Sequence, residues 1–249
     1  MSVTLAVGAT GISSEDSMAG NMHRIRPYRL FTLLDGPASE RIAHVQIPPR
    51  RGGGGLTLLE TFVVVSASRL VESRRIFEFG TFLGATTLNL ALNSSDDTEV
   101  LTLDLDEDCA ADVEQDIADA PLTKIHLDSK AKLDFSGTDV NSRIETLTGN
   151  SITFDFSAYR RTCDFVFIDG GHDLKTVRAD SENAFAMVQT DRPACIMWHD
   201  YGNRDYPELT GYLDGLARTR PMFHVGDTML CAWFHDPAGT IVPPLLREE

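Results

Sequence analysis

The chain has 249 residues, 42% of them hydrophobic, which suits one large α/β domain with or without an appendage. A formal charge of −15 argues against a nucleic-acid partner, because phosphate binding needs a basic face to release counterions. No signal peptide is visible, the longest apolar run (around FVVVSA) is too short to span a bilayer, and four scattered cysteines without a CxxC pair read as free thiols of a cytoplasmic protein.

Residues 1 to about 20 are small and polar with no sustained period, which predicts a loose arm. MHRIRPYRLFTLLDG then spaces its apolar residues near the helical period, and IPPRRGGGG (47–55) forms an irregular loop. We separate these first 55 residues, as an N-terminal arm and helical or loop extension, from one domain over 56–249. LTLLETFVVVSASRLVES predicts a helix with Thr57 as its cap and Glu60 three residues on. Strands are expected at RIFEFG (75–80), EVLTLDL (99–105), RIETLTG (143–149), CDFVFID (163–169), ACIMWHD (194–200), PMFHVGD (221–227) and MLCAWFH (229–235). Helices at GATTLNLALNS, DEDCAADVEQDIAD, KTVRADSENAFAMVQ and ELTGYLDGLART alternate with them, so the sheet is mostly parallel and covered on both faces. Gly226–Asp227 and Thr228 make a hairpin, so one of the last two strands runs antiparallel. The acid-rich run from Asp96 to Asp119, without Lys or Arg, reads as a solvated face, with attraction for a cationic ligand as the alternative. IHLDSKAKLDFSGTDVNS (125–142) reads as a long connection able to fold over a ligand, as does the PPRRGGGG loop.

Ligands of such sheets bind beyond the carboxyl ends of the strands, where the strand order reverses. The ends at Glu78–Gly80, Asp104, Gly149–Ser151, Asp169–His172 and His199–Tyr201 all carry polar residues or glycine. EFGTFLG lacks the closely spaced glycine pair of a dinucleotide fingerprint, and Glu78 would repel a pyrophosphate. A ligand with an ammonium group and no phosphate, S-adenosylmethionine, suits the turn better. Asp104 can accept both ribose hydroxyls, Gly149 lets the backbone approach an adenine, and Asn150 and Ser151 can bond its edge.

FEFGTFLGATTLNLA, VLTLDLDED, RIETLTGNSITFDFSAYRRTCDFVFIDGGHDLKTVRAD and IMWHDYG together resemble the class I S-adenosylmethionine-dependent methyltransferases. The likeness is to the small-molecule and sugar O-methyltransferase-like group marked by I-D-G-x-H and H-D-Y, and it spans roughly residues 56 to 235. It implies a Rossmann-like, doubly wound α/β fold whose seven-stranded, mostly parallel sheet has its last strand antiparallel. It also implies a cofactor site of Glu78, Phe79, Gly80, Thr81, Gly84, Asp104, Leu105, Gly149, Asn150, Ser151 and Asp169. Relatives commonly carry Asp where this chain has Asn150.

Methyl transfer to oxygen needs in-line alignment and removal of a proton, or a metal that stabilises the oxyanion. His172 is placed to take that proton, and in catechol-type relatives a basic residue occupies its position. Asp169, His199 and Asp200 complete the expected catalytic set, with His172, His199 and Tyr201 against the acceptor and Trp198 either a pocket wall or core. In metal-dependent relatives the strand-four and strand-five ends hold magnesium. Asp169, His199 and Asp200 could hold a divalent ion here, although the imidazole suits manganese, iron or zinc better, and a metal-free arrangement serves equally. Asp173 is expected to cap the next helix, and His23, His44, His126, His224 and His235 show no ligand spacing. The expected activity is methyl transfer to a hydroxyl of a small sugar- or polyol-like molecule, with no nucleic-acid or membrane partner. The apolar N-terminal segment is read as a lid or as the contact of a homodimer. An NAD-dependent oxidoreductase or epimerase is the second reading, disfavoured by the missing G-x-G and Tyr-x-x-x-Lys. A non-catalytic S-adenosylmethionine-binding module is the third.

Overall fold

The computed structural model describes residues 21–34, 42–46, 54–111, 119–129 and 132–247. The arm expected at 1–20, most of the glycine-rich loop and the middle of the helix expected over 106–119 lie outside the described residues. One eight-stranded sheet organises the chain, in the order β1-β7-β8-β6-β5-β2-β3-β4. The strands are β1 (Met22–Ile25), β2 (Arg75–Phe79), β3 (Glu99–Asp104), β4 (Ile144–Thr148), β5 (Phe165–Ile168), β6 (Ala194–Trp198), β7 (Met222–Val225) and β8 (Leu230–His235). Among the described strands β8 alone runs against its neighbours, β6 and β7: the hairpin spacing predicts that one of the last two strands is reversed, and the family resemblance that it is the last.

The eighth strand is the departure from expectation. Met22–Ile25, read from its spacing as helical, pairs in parallel with β7 from Met22↔Met222 to Ile25↔Val225. Pro27 explains the switch. The residue before a proline is pushed out of the α region, and Arg26 is extended at φ −78°, ψ 145°. The helix α1 (Pro27–Leu33) then starts on the proline itself, whose fixed φ suits a first helical position.

Helices α1, α2 (Leu58–Leu70) and α3 (Ala85–Leu92) cover one face; α6 (Leu174–Met187) and α7 (Pro207–Ala217) cover the other. The remaining helices of the described residues are α4 (Glu107–Ala111), α5 (Ala120–Ser129) and α8 (Val242–Leu246). Strand side chains alternate between the two cores: Phe165 and Phe167 face α2 and α3, whereas Val166 and Ile168 face α6. Trp198 belongs to the second core, fully buried with its indole N–H bonded to Ser181, so it walls no pocket. All four cysteines are free. Among the described residues no helix is long and apolar enough to cross a membrane.

Thr57 and Glu60 form the expected capping box at the start of α2, each side chain bonding the other's backbone N–H. Asp173 caps α6 through Lys175 N and Thr176 N. The connection expected over 125–142 is largely structured instead. It holds the end of α5, a 3₁₀ turn at Asp139–Arg143, and Leu133, Phe135 and Val140 buried in the first core. The strand order reverses between β2 and β5: from β2 the chain steps outward to β3 and β4, and from β5 the other way to β6. The loops after β2 and β5 therefore diverge and leave a crevice at the carboxyl edge of the sheet.

Candidate active site

A cavity of about 470 Å³ opens at that crevice, within the range of small-ligand pockets. Of the residues expected at the site, Phe79, Gly80, Thr81, Asp104, Leu105, Gly149, Asn150, Ser151, Asp169, His172, His199 and Asp200 all line it. Gly84, Glu78 and Tyr201 do not.

The floor is built by the turn after β2. Gly80 has φ +90°, and a Cβ there would lie 2.1 Å from the Asp169 carbonyl oxygen, so only glycine lets β2 and β5 close at this level. Its N–H donates to Leu103 O at 2.9 Å, which ties the turn to β3. Asp104 is fixed by two backbone donors, Phe82 N and Leu105 N, each at 2.8 Å. His126 closes the same corner, its ring nitrogens 2.7 Å from Phe82 O and 3.1 Å from Leu105 O. Gly84, at φ +83°, is the N-cap of α3 and lies against the Phe135 ring.

Glu78 corrects one expectation. In β2 its side chain points to the α3 face, where it accepts hydrogen bonds from Thr87 and, at 2.6 Å, from Thr102. It is fully buried and does not line the cavity into which the sequence reading put it. Burial pushes its pKa from 4.5 up to about 8, against the pull of the two threonine hydroxyls. Such an acid is protonated in the folded protein at neutral pH and ionised in the unfolded chain. Its contribution therefore falls as pH rises from about 4.5 to 8. Glu78→Gln is expected to melt close to wild type near pH 5 and above it at pH 8, by at least ~5 °C if ~3 kcal/mol of this penalty is removed. Thermal melts across that range check it; parallel curves for the two proteins would show that Glu78 is ionised in the fold.

Opposite Asp104 stands a chain of acids and imidazoles. His172 Nδ1 lies 2.8 Å from Asp119 Oδ1, and its Nε2 lies 2.8 Å from Asp200 Oδ2. Its backbone N–H also donates to Asp119, at 3.1 Å. The ring stacks on Tyr206 at 4.0 Å, and the Tyr206 hydroxyl donates to Asp119 at 3.0 Å. The next ring, His199, sits with Nδ1 2.9 Å from Asp200 Oδ2 and 3.1 Å from Asp169 Oδ1, and with Nε2 3.5 Å from Glu60 Oε1. Asp200 adopts φ +60°, a conformation that aspartate tolerates, and Asn203 donates to its other oxygen at 2.6 Å.

These distances fix the protonation. Burial alone would lower the pKa of His172, but Asp119 and Asp200 outweigh it and hold the ring at about 10. Burial is likewise overcome at His199, raised far above its usual range by Asp169, Asp200 and Glu60. Glu60 stays ionised: burial pushes it up, yet His199, Met229 N and Thr57 bring it down to about 2. With both nitrogens of His172 facing carboxylates, each carries a proton, and the ring has no lone pair to receive another. In this arrangement His172 is a cation and not the free base expected from the sequence.

Tyr201 points away from the cavity, its hydroxyl donating to Asp214 at 2.8 Å and its ring against His224. Tyr206 stands at the site in its place. The residues that sequence reasoning missed are Asp119, Tyr206, His126, Asp180 and the second role of Glu60. Asp119 was hidden in the acid-rich run, and nothing local marks it, because its partner lies 53 residues further on.

Asp169, His199 and Asp200 bring one ligand atom each within 4.8 Å of one another. Once His199 gives up the Nδ1 proton that it shares with Asp169 and Asp200, two carboxylates and one imidazole form a donor set that fits a divalent transition ion, and manganese, iron or zinc better than magnesium.

A family of methyltransferase domains matches residues 77–201, half of the chain and all of the strand ends that line the cavity after β2, β3, β4, β5 and β6. No curated protein sequence matches the chain. Among solved structures, an S-adenosylhomocysteine-bound methyltransferase from Podospora anserina is 13% identical, with a TM-score of 0.50 over 91% of this chain and 98% of its own. A putative caffeoyl-CoA O-methyltransferase from Staphylococcus aureus is 14% identical, with a TM-score of 0.50 over 72% of this chain and 83% of its own. At these identities the likeness is one of fold.

Proposed function

The chain belongs to this methyltransferase family, and from that premise we propose that it moves a methyl group from S-adenosylmethionine to a hydroxyl of a small, polar, sugar- or polyol-like molecule. The observation that carries the reading is the meeting, in one cavity, of the anchored Asp104 and the Asp119–His172–Asp200–His199 chain. Asp104 receives the ribose hydroxyls, Gly149–Ser151 the adenine, and the turn at Gly80–Phe82 the methionine end. The methyl group then points toward Asp169 and His172.

At that end the two imidazolium rings place positive charge beside the acceptor oxygen as it sheds its proton, which favours the oxyanion. Asp169, a fifth exposed into the cavity, is the carboxylate that takes the hydroxyl hydrogen. If a divalent ion is bound, Asp169, His199 and Asp200 hold it, and it supplies the same stabilisation of the oxyanion. A polar acceptor fits because this end is walled by charged side chains and Tyr206. The dinucleotide reading loses its glycine: the open side of Gly80 faces the Asp169 carbonyl, where a pyrophosphate cannot enter.

Calorimetric titration tests the donor. S-adenosylhomocysteine is expected to bind far more tightly than NAD, and the reverse order would refute the proposal. Asp104→Ala is expected to weaken S-adenosylhomocysteine by at least about 100-fold, the loss of two hydrogen bonds to a charged acceptor. Transfer of labelled methyl groups to a metabolite mixture, with and without chelator, identifies the acceptor and the role of a metal; binding without any transfer would favour the non-catalytic module.

A further inference from the structure

Asp180 sits in α6 and lines the cavity together with Ser151 and Gly170, yet the chemistry above gives it no task. It is 1% exposed, and neither of its carboxyl oxygens has a hydrogen-bond partner among the described residues. A buried carboxyl in that condition lowers stability unless a ligand supplies donors. Packing does not explain it either. Val177 and Ala184, one turn before and after it, are buried apolar residues of the second core, and an apolar side chain would continue their stripe.

Its place in the cavity says what it meets. A Cβ on Gly170 would stand 3.4 Å from Asp180 Oδ2, so the missing side chain leaves a way from the cavity to the carboxyl. Ser151, in the turn after β4, stands near enough for its hydroxyl to draw on the carboxyl but outside the geometry of a formed hydrogen bond. This is the end assigned above to the donor's purine. We infer that Asp180 accepts a hydrogen bond from the exocyclic amine of the adenine and so selects a 6-aminopurine over a 6-oxopurine. The inference rests on the donor reading of the preceding section. Burial pushes the Asp180 pKa up to about 7, with a smaller opposing pull from Ser151, and in either protonation state one oxygen remains an acceptor. A 6-oxopurine brings an oxygen to the same place, and where the carboxyl is ionised two acceptors face each other in a dry pocket, so the titrations are run at a pH well above about 7. A site built around one such hydrogen bond rejects the analogue that lacks it.

The experiment is calorimetric titration of the full chain with S-adenosylhomocysteine and with its deaminated analogue S-inosylhomocysteine. Wild type, Asp180→Asn and Asp180→Leu are compared, and a thermal melt of each reports folding. Wild type is expected to prefer the adenosyl compound by about tenfold or more. Asp180→Leu is expected to lose about tenfold in S-adenosylhomocysteine affinity and most of the preference, while melting at or above wild type. Asp180→Asn, which offers both a donor and an acceptor, is expected to bind the two compounds within about threefold. If the leucine variant melts low, the asparagine variant decides. Wild-type binding of S-adenosylhomocysteine with an unchanged preference in the variants overturns this inference alone. Failure of wild type to bind either compound overturns the donor reading and this inference together.

Discussion

Gly80→Ala is expected to lower the melting temperature by about 10 °C and to weaken S-adenosylhomocysteine binding in the protein that still folds. Two costs combine. The residue holds φ +90°, a region closed to side chains except under strain of about 1–3 kcal/mol. The added Cβ would also meet the Asp169 carbonyl oxygen at 2.1 Å and its carbon at 2.7 Å, which are backbone atoms with no rotamer to escape through. Relief requires the ends of β2 and β5 to part, at the bond from Asp169 N to Phe79 O. Overpacking of this kind costs about 1–3 kcal/mol more. The movement displaces Asp169 and the Gly80–Phe82 turn together, so donor affinity and methyl transfer fall with stability. Gly202→Ala is the matched control: φ is +81°, but no atom lies within 4 Å of its Cβ position, so it bears the strain alone. A Gly80→Ala melt within about 2 °C of the Gly202→Ala melt would show that β2 and β5 do not approach as described.

The same pair of strands marks how far the sequence could be read. Strands and helices followed from apolar period and caps, because each of those signals is completed within a few residues. Thr57 with Glu60 and Asp173 with Thr176 are such local pairs, and both stand as expected. The reversal between β7 and β8 was legible for the same reason, since its hairpin turn is local. β1 was not: its apolar spacing suited a helix, and what makes it a strand is the open edge of β7, some 200 residues away. At the site, the residues at strand ends were legible because strand ends line the crevice in this architecture. Glu78 failed although it stands beside that crevice, because alternation along β2 turns it to the α3 face. Asp119 and Tyr206 reach His172 from 53 and 34 residues away and became visible only through contact. The protonation of His172 depends on those contacts. A histidine judged by its own sequence neighbours is a candidate base, and one held between two carboxylates is a cation.

That dependence makes Asp200→Asn the most informative change at the reacting end. Asp200 Oδ2 is shared by two rings, at 2.8 Å from His172 Nε2 and 2.9 Å from His199 Nδ1, and the residue is 6% exposed. Burial disfavours its charge, but the two histidines more than offset this and hold its pKa far below the carboxylate range. Asparagine keeps the size and loses the charge. With its carbonyl oxygen toward the rings it is only a neutral acceptor for both of them, and its amide nitrogen then faces the Asn203 amide donor against donor; turned the other way, the amide nitrogen faces both imidazole N–H groups. Breaking a buried ion pair from one side costs about 3–5 kcal/mol, less whatever is regained when a ring releases its proton. Methyl transfer is expected to fall at least about 100-fold, because the cationic rings no longer stand in place beside the acceptor oxygen. S-adenosylhomocysteine affinity is expected to change by less than about threefold, since the ribose contact at Asp104 lies on a different strand. Asn203→Ala removes the 2.6 Å hydrogen bond to the other oxygen and the 3.1 Å bond that Asn203 Oδ1 accepts from Asp205 N, and is expected to cost about 1–2 kcal/mol with activity largely kept. The double variant Asp200→Asn with His172→Gln separates coupling from simple loss: the two effects on turnover are expected to be strongly non-additive, since each breaks the same contact. Turnover of Asp200→Asn within about threefold of wild type, or additive effects in the double variant, would mean that the acid–imidazole chain takes no part in transfer.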